Sequence, residues 1–478
     1  MNIIFDYDTK KKQGIISSQN LDMIREHFSI ANNNAKYTRR YNPYYPTRRY
    51  VITPTGRFDI GLIYDIIKFI KSQNIPYEIT ITDILTKELE TQIEYTNLYK
   101  INLELRDYQL EAVIRSLKYG KGIIVLPTGA GKTAIIATLS KTILDTKKFK
   151  KCLIIVPSLQ LVSQTYEDFI EYGINKSDVT KWSGEDEPNF KAPIIIANSS
   201  ILLSDKQDKT ILSKIDYLII DEVHKIKLDT EISKLLKQIN TNNRFGFTGT
   251  LPEDQIDEWN IIGKIGPVLY KEESKTFRDS DYISNILIKI LKIKYKESPI
   301  YSNTYANPTD AYNVEYDFIK NNEFRNELIT KLADKLDKNC LILVDRIDHG
   351  NIIKNILQQF TSKKVYFIYG DMELEEREKI KNLMENNNNI ICIAMGAIFS
   401  TGINIKNIHY IIFTFAGKAK VKIIQSIGRG VRLHKDKVKL IVYDIVDCLK
   451  YSLLHLDKRI NLYAQEKIEF EIKEIDQN

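Results

Sequence analysis

The chain has 478 residues, a formal net charge of +7 at pH 7, and a composition that is 43% hydrophobic and 27% charged. This length predicts about three domains, because a single hydrophobic core stops growing at a smaller size. The composition excludes a disordered or fibrous protein, and the modest positive charge permits binding to a polyanion without requiring it.

Cysteine usage and hydropathy indicate the compartment. The cysteines lie far apart and mostly inside apolar runs, with no metal-ligand spacing, so we expect small buried side chains in a reducing compartment. They are Cys152, Cys340, Cys392 and Cys448. Residues 1–12 lack the apolar core of a secretory signal, and no apolar run reaches membrane-spanning length. We therefore expect a cytoplasmic protein without a membrane partner.

The first predicted elements belong to region 1–96, whose short mixed segments carry no nucleotide motif and indicate a small α/β domain. From residue 105 onward, short β-branched runs alternate with amphipathic segments, which predicts a parallel sheet covered by helices. The strand candidates of this second region are 122–126, 152–156, 194–197, 217–220 and 244–248.

The alternating pattern weakens over 265–326, where polar clusters and prolines indicate an irregular connector, and then resumes. The later strand candidates are 340–344, 364–369, 390–394, 409–414 and 439–444. Two α/β domains joined by a connector are the simplest arrangement. We set the predicted boundaries at 97–270 and 271–455, with a C-terminal segment at 456–478.

A glycine-rich segment, LPTGAGKT at 126–133, follows a strand candidate and opens a helix, which is the context of a phosphate-binding loop. Its backbone N–H groups and the helix N-terminus attract phosphate oxygens. We expect Lys132 to hold the β- and γ-phosphates of ATP and the Thr133 hydroxyl to bind Mg²⁺. The expected nucleotide-binding residues are Pro127, Thr128, Gly129, Ala130, Gly131, Lys132 and Thr133. The alternative is a chance glycine-rich turn.

An acidic pair directly follows the apolar run 217–220. A carboxylate at a strand end beside the loop can hold Mg²⁺, which we assign to Asp221, while Glu222 polarises the attacking water. Alone, two carboxylates after a strand would predict a solvated turn. The phosphate-binding loop upstream favours a hydrolytic site instead.

These motifs resemble those of the superfamily 2 helicases, whose DExH box is similar to DEVH at 221–224. The resemblance implies two tandem RecA-like parallel-sheet domains preceded by the small N-terminal domain. The segment LRDYQ at 105–109 is similar to the family's adenine-reading Q motif, which implies Arg106 and Gln109 as nucleotide contacts.

A second group of residues resembles the family's coupling apparatus. The segment TGT at 248–250 is similar to motif III, which couples hydrolysis to movement in the family. The resemblance implies that His224 hydrogen-bonds toward this motif. His224, Thr248 and Thr250 are therefore the expected coupling residues.

The later α/β domain continues the resemblance, with 400–404 similar to motif V and 425–432 similar to motif VI. Arg429 and Arg432, three residues apart on a predicted helix, share one face and can both reach a γ-phosphate. Such guanidinium groups stabilise transition-state charge. The resemblance implies a catalytic role for Gln425 beside them. Surface charges on an exposed helix are the alternative.

The resemblance also implies a nucleic-acid strand lying across both motor domains. The implied contacts are Ser158, Leu159, Asn198, Ser199 and Thr401. The first two lie in PSLQL at 157–161, which is similar to motif Ia. Such contacts go mainly to phosphate and sugar, so we expect binding that is independent of sequence.

The N-terminal domain carries the strongest charge feature of the chain. Residues 36–57 include six basic residues, five tyrosines and no acid. Guanidinium groups can neutralise phosphates while tyrosine rings stack on exposed bases, so this segment is a candidate nucleic-acid surface. We assign the contacts to Arg39, Arg40, Arg48 and Arg49. A loop of locally packed tyrosines and solvated arginines is an equally simple alternative.

Within the superfamily, the chain resembles the UvsW-type phage recombination helicases over the basic N-terminal segment, 244–247, 443–447 and 455–470. The resemblance implies a monomer in the host cytoplasm that uses ATP to unwind branched or single-stranded DNA. The implied activities are branch migration, fork reversal and R-loop removal. Because R-loops contain RNA, RNA in hybrids is a further implied partner. These implications rest on family analogy. An RNA-dependent or restriction-type ATPase is the alternative, and a strand-annealing protein without motor activity is less favoured because the hydrolytic residues are intact.

Overall fold

A computed structural model describes most of the chain. The described residues are 2–32, 35, 44–73, 76–127, 129–184, 188–204, 210–228, 230–236, 238–272, 285–297, 308–396, 405, 407–414, 439–465 and 468–477. They divide into two compact units, Met1–Leu126 with Gly131–Lys271, and Glu272–Asn478 with Pro127–Ala130.

The first unit begins with a small mixed sheet. Its strands are β1 (Asn2–Asp8), β2 (Gln13–Ser18), β5 (Arg57–Phe58) and β6 (Glu78–Ile81), in the order β5-β2-β1-β6. A two-stranded ribbon of β3 (Ser29–Ala31) and β4 (Arg48–Tyr50) accompanies it. The helices are α1 (Leu21–His27), α2 (Ile63–Ser72) and α3 (Asp83–Leu89). Alternate residues of β1 point into the core, as Ile3 and Phe5 show, because one face of the sheet is covered.

The same unit contains a seven-stranded sheet in which every pair of neighbours is parallel. Its strands are β7 (Gly122–Val125), β8 (Cys152–Val156), β9 (Val179–Trp182), β10 (Ile194–Asn198), β11 (Tyr217–Asp221), β12 (Arg244–Thr248) and β13 (Val268–Lys271). The spatial order is β13-β7-β12-β11-β8-β10-β9. β7, β8, β10 and β11 are largely apolar without alternation because helices cover both faces of a parallel sheet.

Helices connect these strands. They are α4 (Asp107–Tyr119), α5 (Lys132–Asp145), α6 (Leu159–Glu171), α7 (Ser199–Leu203), α8 (Glu231–Leu235) and α9 (Gln255–Ile265). The short 3₁₀ helices of the unit are Ile60–Leu62, Lys176–Asp178, Thr210–Lys214 and Val223–Lys225. One continuous hydrophobic cluster joins the small N-terminal sheet to the parallel sheet, with Phe58 and Leu62 on one side and Leu218 and Ile262 on the other.

The second unit is built on another seven-stranded parallel sheet. Its strands are β14 (Asn285–Lys294), β15 (Cys340–Val344), β16 (Lys364–Ile368), β17 (Ile390–Met395), β18 (Tyr410–Phe413), β19 (Lys439–Asp447) and β20 (Glu469–Asp476), in the order β16-β17-β15-β18-β19-β14-β20. Its described helices are α10 (Pro308–Asn321), α11 (Glu323–Lys335), α12 (Ile347–Phe360), α13 (Leu374–Asn386) and α14 (Lys450–Gln465).

The predicted α/β class with two tandem parallel sheets and a small N-terminal mixed sheet is confirmed. The expected irregular connector at 265–326 is wrong over much of its length, since it contains β13, β14 and α10. β14 pairs with β19 and β20, which come far later in the chain, so no local pattern announces its place. The predicted domain boundaries stay predictions. Among the described residues, no helix is both long and apolar enough to cross a membrane.

Candidate active site

The carboxyl ends of the strands in the first parallel sheet bring the sequence motifs together. β7, β12 and β11 are neighbours, and they lead into the glycine-rich loop, the TGT segment and the acidic tetrad in that order. β8 and β10 follow along the same edge. This edge is where ligands bind in open parallel sheets. The loops that follow these strands therefore carry the described part of the phosphate-binding loop, the acidic tetrad, the TGT segment and the predicted strand contacts Ser158, Leu159, Asn198 and Ser199.

The glycine-rich loop leaves β7 and enters α5 at Lys132. Its first residue is fixed by a hydrogen bond from the Leu126 N–H to the Thr248 carbonyl oxygen at 2.9 Å. Gly129 and Gly131 have φ angles of 89° and 72°, values that side chains other than glycine rarely adopt. Lys132 Nζ donates to the Leu126 carbonyl oxygen at 3.2 Å, so the ammonium lies against the loop. Thr128 lies outside the described residues, and Pro127, Ala130 and Thr133 lie within the loop and its first helical turn.

The predicted adenine-reading residue stands beside this loop. Gln109 is 4% exposed, and its Oε1 accepts a hydrogen bond from the Arg106 N–H at 3.0 Å. A Cβ atom at Gly131 would collide with Gln109 Nε2. Arg106 also donates from Nη1 to the Tyr108 hydroxyl at 3.2 Å. The Gln109 side chain thus caps the start of α4 by accepting from the Arg106 N–H and lies against the phosphate-binding loop, where the positive φ of residue 131 favours glycine.

The acidic pair sits at the end of β11 in a strained conformation. Glu222 has a φ of 52°, in the left-handed region, and its N–H donates to Asp221 Oδ1 at 3.0 Å. Such backbone conformations cost about 1–3 kcal/mol and concentrate at functional sites. The consequence here is that two adjacent carboxylates point from one sharp turn at the strand end.

His224 links the acidic pair to the TGT segment. Its Nδ1 lies 2.7 Å from Thr248 Oγ1 and 3.3 Å from Glu222 Oε2. Thr248 Oγ1 donates to the Thr250 carbonyl oxygen at 2.8 Å, so it accepts from the His224 Nδ1–H. Burial lowers the His224 pKa below its usual value, and the charges of Lys225 and Lys132 act in the same direction against that of Glu222. The ring is therefore neutral at pH 7, with its proton directed at Thr248.

A magnesium ion would find suitable donors at this edge. The Thr133 hydroxyl and the Asp221 carboxylate are oxygen ligands of the kind that Mg²⁺ prefers, and Mg²⁺ takes its remaining ligands from phosphates and water. Within the described ranges, no group of three or more His, Cys, Asp and Glu side chains forms an all-protein metal site. The residues present thus fit a metal that arrives with the nucleotide.

The predicted nucleic-acid contacts of this domain follow the next two strands. Val156 of β8 pairs with Asn198 of β10, so the segments after them begin side by side. Ser158 Oγ accepts from the Leu161 N–H at 3.3 Å, and Asn198 Oδ1 accepts from the Ile201 N–H at 3.0 Å. Both side chains are helix N-caps, a role that the sequence reasoning missed although the residue types favour it.

Accessibility differs among these four residues. Asn198 is 4% exposed, whereas Leu159 is 37% exposed and Ser199 is half-buried. A strand lying along this edge would therefore meet Leu159 and Ser199 before it met the Asn198 side chain.

The basic N-terminal segment is described only in part. Arg48 Nε donates to Ser29 Oγ at 2.9 Å and lies 3.1 Å from Glu26 Oε2. The Tyr50 hydroxyl donates to Glu26 Oε1 at 2.7 Å, and Arg25 lies over the Tyr50 ring at 4.7 Å. Arg49 lies beside Arg48 on β4 and is half-buried. Part of the expected binding surface therefore already has internal partners.

Several predicted site residues lie outside the described residues. They are Arg39, Arg40, Thr401, Gln425, Arg429 and Arg432. Their assigned roles remain predictions.

Comparison with known families agrees with this arrangement. Residues 102–253 match the family described as type III restriction enzyme, res subunit, and residues 320–434 match the helicase conserved C-terminal domain. Together the two matches span more than half of the chain, in the order of a two-domain motor. This chain is a superfamily 2 helicase.

The relatives of this superfamily 2 helicase include viral and archaeal proteins. It is 27% identical to the ATP-dependent DNA helicase uvsW of Enterobacteria phage T4, over 82% of each chain. It is 25% identical to the DNA 3'-5' translocase XPB2 of Sulfurisphaera tokodaii, over 75% of this chain and 86% of the relative.

A solved structure supports the fold of this helicase. The ATP-dependent Type ISP restriction-modification enzyme LlaBIII bound to DNA superposes with a TM-score of 0.57 at 14% identity, over 87% of this chain and 36% of that one. At this identity the likeness concerns the fold alone. The family match and the phage T4 relative show that the chain is an ATP-dependent helicase. The superposition agrees with the two parallel sheets of its motor region.

Proposed function

We propose that this ATP-dependent DNA helicase unwinds and remodels branched DNA, through branch migration, fork reversal and R-loop removal in recombination, repair and replication. The observation that carries the proposal is the single sheet edge on which the hydrolytic residues and the helix starts of motif Ia lie on neighbouring strands. The branched substrate is supported by the similarity to the phage T4 helicase over most of both chains.

At the nucleotide, each residue has a distinct task. Lys132 binds the β- and γ-phosphates, and the loop N–H groups neutralise further phosphate charge. Thr133 and Asp221 would hold Mg²⁺, which would supply Lewis-acid stabilisation of phosphate charge. Glu222 orients the water that attacks it, and the strained turn at Glu222 fixes the direction of that carboxylate. Gln425, Arg429 and Arg432 complete the charge stabilisation by family resemblance.

The coupling step runs through His224. The Glu222 carboxylate lies 3.3 Å from the His224 ring, and the ring donates to Thr248. When the γ-phosphate leaves, a shift of Glu222 changes the position of His224 and hence of the TGT segment. Thr248 also accepts the Leu126 amide of the phosphate loop through its carbonyl oxygen. The TGT segment therefore contacts both the phosphate-binding loop and, through His224, the acidic tetrad. We assign to Thr248 and Thr250 the role of coupling ATP hydrolysis to movement along DNA.

The track contacts act mostly on phosphate and sugar, so the motor moves without regard to sequence. The helix starts at Ser158, Leu159 and Ser199 bind one strand in the first motor domain, and Thr401 binds it in the second. The N-terminal basic segment holds the duplex arm of a fork. We propose that the active species is a monomer, because one chain contains both motor domains.

A second candidate is an ATPase of the restriction type. The match of residues 102–253 to a restriction-enzyme family favours it specifically. Such a protein would use the same motor as a translocase on linear duplex DNA. An RNA-dependent ATPase and a strand-annealing protein without motor activity are further alternatives.

The deciding experiment compares ATPase stimulation and strand separation on a forked DNA, a four-way junction, linear duplex, single-stranded DNA and single-stranded RNA. We expect the junction and fork to be remodelled with ATP and the linear duplex to be poorly unwound. Stimulation by RNA alone, or translocation on linear duplex without junction remodelling, would contradict the proposal.

The motor itself is tested by Lys132→Ala, with Lys148→Ala as the control. Lys148 is exposed and ion-paired with Glu94, so its loss removes the same charge away from the nucleotide. We expect Lys132→Ala to lower kcat for ATP hydrolysis by at least about a hundredfold and to abolish remodelling. Continued ATP-dependent strand separation by Lys132→Ala would exclude the motor function.

A further inference from the structure

A polar cavity of about 400 Å³ lies in the first unit, at the end of the parallel sheet opposite the nucleotide motifs. Tyr7 and Gln13 of the N-terminal sheet line one side of it. Lys121, directly before β7, and Arg244, the first residue of β12, line the other side. The cavity thus lies between the small N-terminal domain and the first residues of two strands, β7 and β12, whose other ends lead into the predicted ATP site.

Lys121 is the unusual member of this lining. It is 4% exposed, and among the described residues its Nζ has no hydrogen-bond partner. It also lines an adjoining cavity that contains Tyr64 and Arg115. A buried ammonium without a partner is costly, and such groups are rare in folded proteins unless a ligand or water satisfies them.

Several other charged side chains of the cavity already have partners. Lys264 Nζ lies 2.5 Å from Asp59 Oδ2, and Arg244 donates to backbone carbonyl oxygens, including that of Lys264 at 3.1 Å. Glu88 Oε2 accepts a hydrogen bond from the Asn242 side chain. Burial lowers the Lys121 pKa to about 8, so the group still carries its charge at pH 7. The negative charge of Glu88 raises the Lys121 pKa in opposition to burial, but no hydrogen bond joins the two side chains. The interior of the cavity therefore presents a charged Lys121 Nζ whose hydrogen bonds are not satisfied within the described residues.

The approach to the cavity is also basic. Lys11 and Lys12 belong to the exposed turn between β1 and β2, and Lys87 lies on α3. A volume of about 400 Å³ falls within the range of small-molecule sites. A ligand that fits must bring several acceptor oxygens and negative charge, which is the chemistry of a phosphate group.

We propose that this cavity binds a phosphate-bearing small anion whose oxygens accept hydrogen bonds from Lys121 Nζ. The bound anion joins the N-terminal sheet to the first parallel sheet, since residues of both line its site. Binding to the folded state alone stabilises that association in proportion to ligand concentration. The site is separate from the phosphate-binding loop and does not depend on the proposed action on branched DNA.

The test uses the full chain in a Lys132→Ala background, which weakens phosphate binding at the nucleotide loop, and Lys121 variants in the same background distinguish the cavity from any binding that remains there. Inorganic phosphate and a nucleoside monophosphate are the two probes, since either source supplies the same group, and chloride at matched ionic strength is the blank. Binding is followed by isothermal calorimetry and by the rise in Tm. We expect at least one probe to bind saturably, with a Tm rise that chloride does not reproduce.

Lys121→Met removes the ammonium and retains the apolar stem, and Lys148→Met is the matched control because Lys148 is 62% exposed and outside the cavity. We expect Lys121→Met to weaken binding by roughly tenfold or more and to raise Tm without ligand, since a buried charge is gone. Lys121→Gln replaces it if the methionine variant does not fold. No saturable binding, or equal binding by the Lys121 and Lys148 variants, would overturn the proposal.

Discussion

The two units are built on parallel sheets of the same size, yet they place charge differently. In the first unit Asp221 and Glu222 gather at the carboxyl edge, with Lys132 held against a backbone carbonyl oxygen. In the second unit the acids of β19 are buried opposite permanent counter-charges. Asp444, 0% exposed, pairs with Arg459 at 2.9 Å, and Asp447 pairs with Arg325 at 2.7 Å.

This difference separates two uses of the same residue types. A carboxylate that forms a buried ion pair with a guanidinium acquires its partner when the chain folds. The pair then holds one helix in place against one strand. A carboxylate at the strand ends beside the phosphate-binding loop can act on a ligand that binds and dissociates. We expect substitutions at the edge to reduce turnover with little loss of stability, and substitutions in the buried pairs to do the reverse.

The largest expected effect is that of Glu222→Gln. The amide keeps the shape of the side chain but loses the charge that polarises water, so kcat for ATP hydrolysis should fall by about 10²–10⁴-fold. Nucleotide affinity should remain, because Lys132 and the loop are intact. Steady-state ATPase assays and fluorescent-nucleotide titration measure the two quantities.

The control for this change is Glu327→Gln, since Glu327 is an exposed acid of the second unit, paired with Lys331. It should leave both quantities unchanged. Undiminished turnover in Glu222→Gln would mean that the edge carboxylate is not the group that activates water.

The buried pair of Asp447 with Arg325 gives the next effect. Arg325→Met leaves Asp447 charged and buried, and should lower the free energy of unfolding of the second unit by about 3–5 kcal/mol. Adding Asp447→Leu should recover much of this loss, because both charges are then gone. Lys331→Met, which breaks an exposed pair, should cost no more than about 1 kcal/mol.

The chain itself offers the probe for this experiment. Both of its tryptophans, Trp182 and Trp259, lie in the first unit, so their fluorescence follows that unit while far-UV circular dichroism follows both. Arg325→Met should move the dichroism transition in urea and leave the fluorescence transition in place. An equal shift of both transitions would show that the two units unfold together. It would contradict the expectation that Arg325→Met destabilises the second unit alone.

Acid should weaken the second unit through His349. Burial lowers the pKa of His349 to about 3, the charges of Arg325 and Lys320 add to the effect, and Asp348 opposes it. The ring lies 3.1 Å from Asn326 Oδ1. Because the unfolded chain binds a proton near pH 6.5 that the folded chain cannot hold, the free energy of unfolding falls as pH drops below about 6.5, by at most about 1.4 kcal/mol per pH unit.

The measurement is the dichroism midpoint in urea between pH 7 and pH 5, with His349→Gln as the comparison. The glutamine variant should be less stable at pH 7 and should lose less on acidification. A wild-type midpoint that is as independent of pH as that of His349→Gln would contradict a neutral buried ring.

Strand positions were largely predictable, because the apolar runs of both parallel sheets are short, β-branched and bounded by turns. Cys152–Val156, Arg244–Thr248 and Cys340–Val344 agree with their predicted limits. β14 was missed because the polar clusters and prolines of the surrounding stretch indicated a connector, although its own run Asn285–Lys294 is rich in isoleucine and leucine. A local pattern holds no information about which distant strands will flank it.

The parts of the site that consist of consecutive residues were predictable from the sequence. The glycine-rich loop and the acidic tetrad are such segments. The left-handed turn at Glu222 and the cavity around Lys121 depend on atoms brought together by folding. Lys121 in particular belongs to no motif, and its burial without a hydrogen-bond partner distinguishes it from the other described lysines.

The smallest expected effect is a change in the salt dependence of DNA binding by the N-terminal segment. It compares an arginine that has an internal ion pair with a neighbouring arginine for which we expect a DNA phosphate as partner. Arg48 is ion-paired with Glu26, whereas its strand neighbour Arg49 projects from the other face of β4. If Arg49 contacts one DNA phosphate, Arg49→Ala should reduce the slope of log K against log salt by about 0.9 on forked DNA. Arg48→Ala should reduce it by less, because the guanidinium already has a counter-charge.

Fluorescence anisotropy with a labelled fork at several salt concentrations measures both slopes, and basal ATPase without DNA checks that the motor is intact. Equal reductions would mean that DNA displaces Glu26 from Arg48, so that an internal ion pair opens on binding. Unchanged slopes in both variants would favour the alternative of a solvated loop, and the duplex arm would then have to be held by other residues. In either case the comparison of two adjacent arginines distinguishes a surface prepared for phosphate from one that merely carries charge.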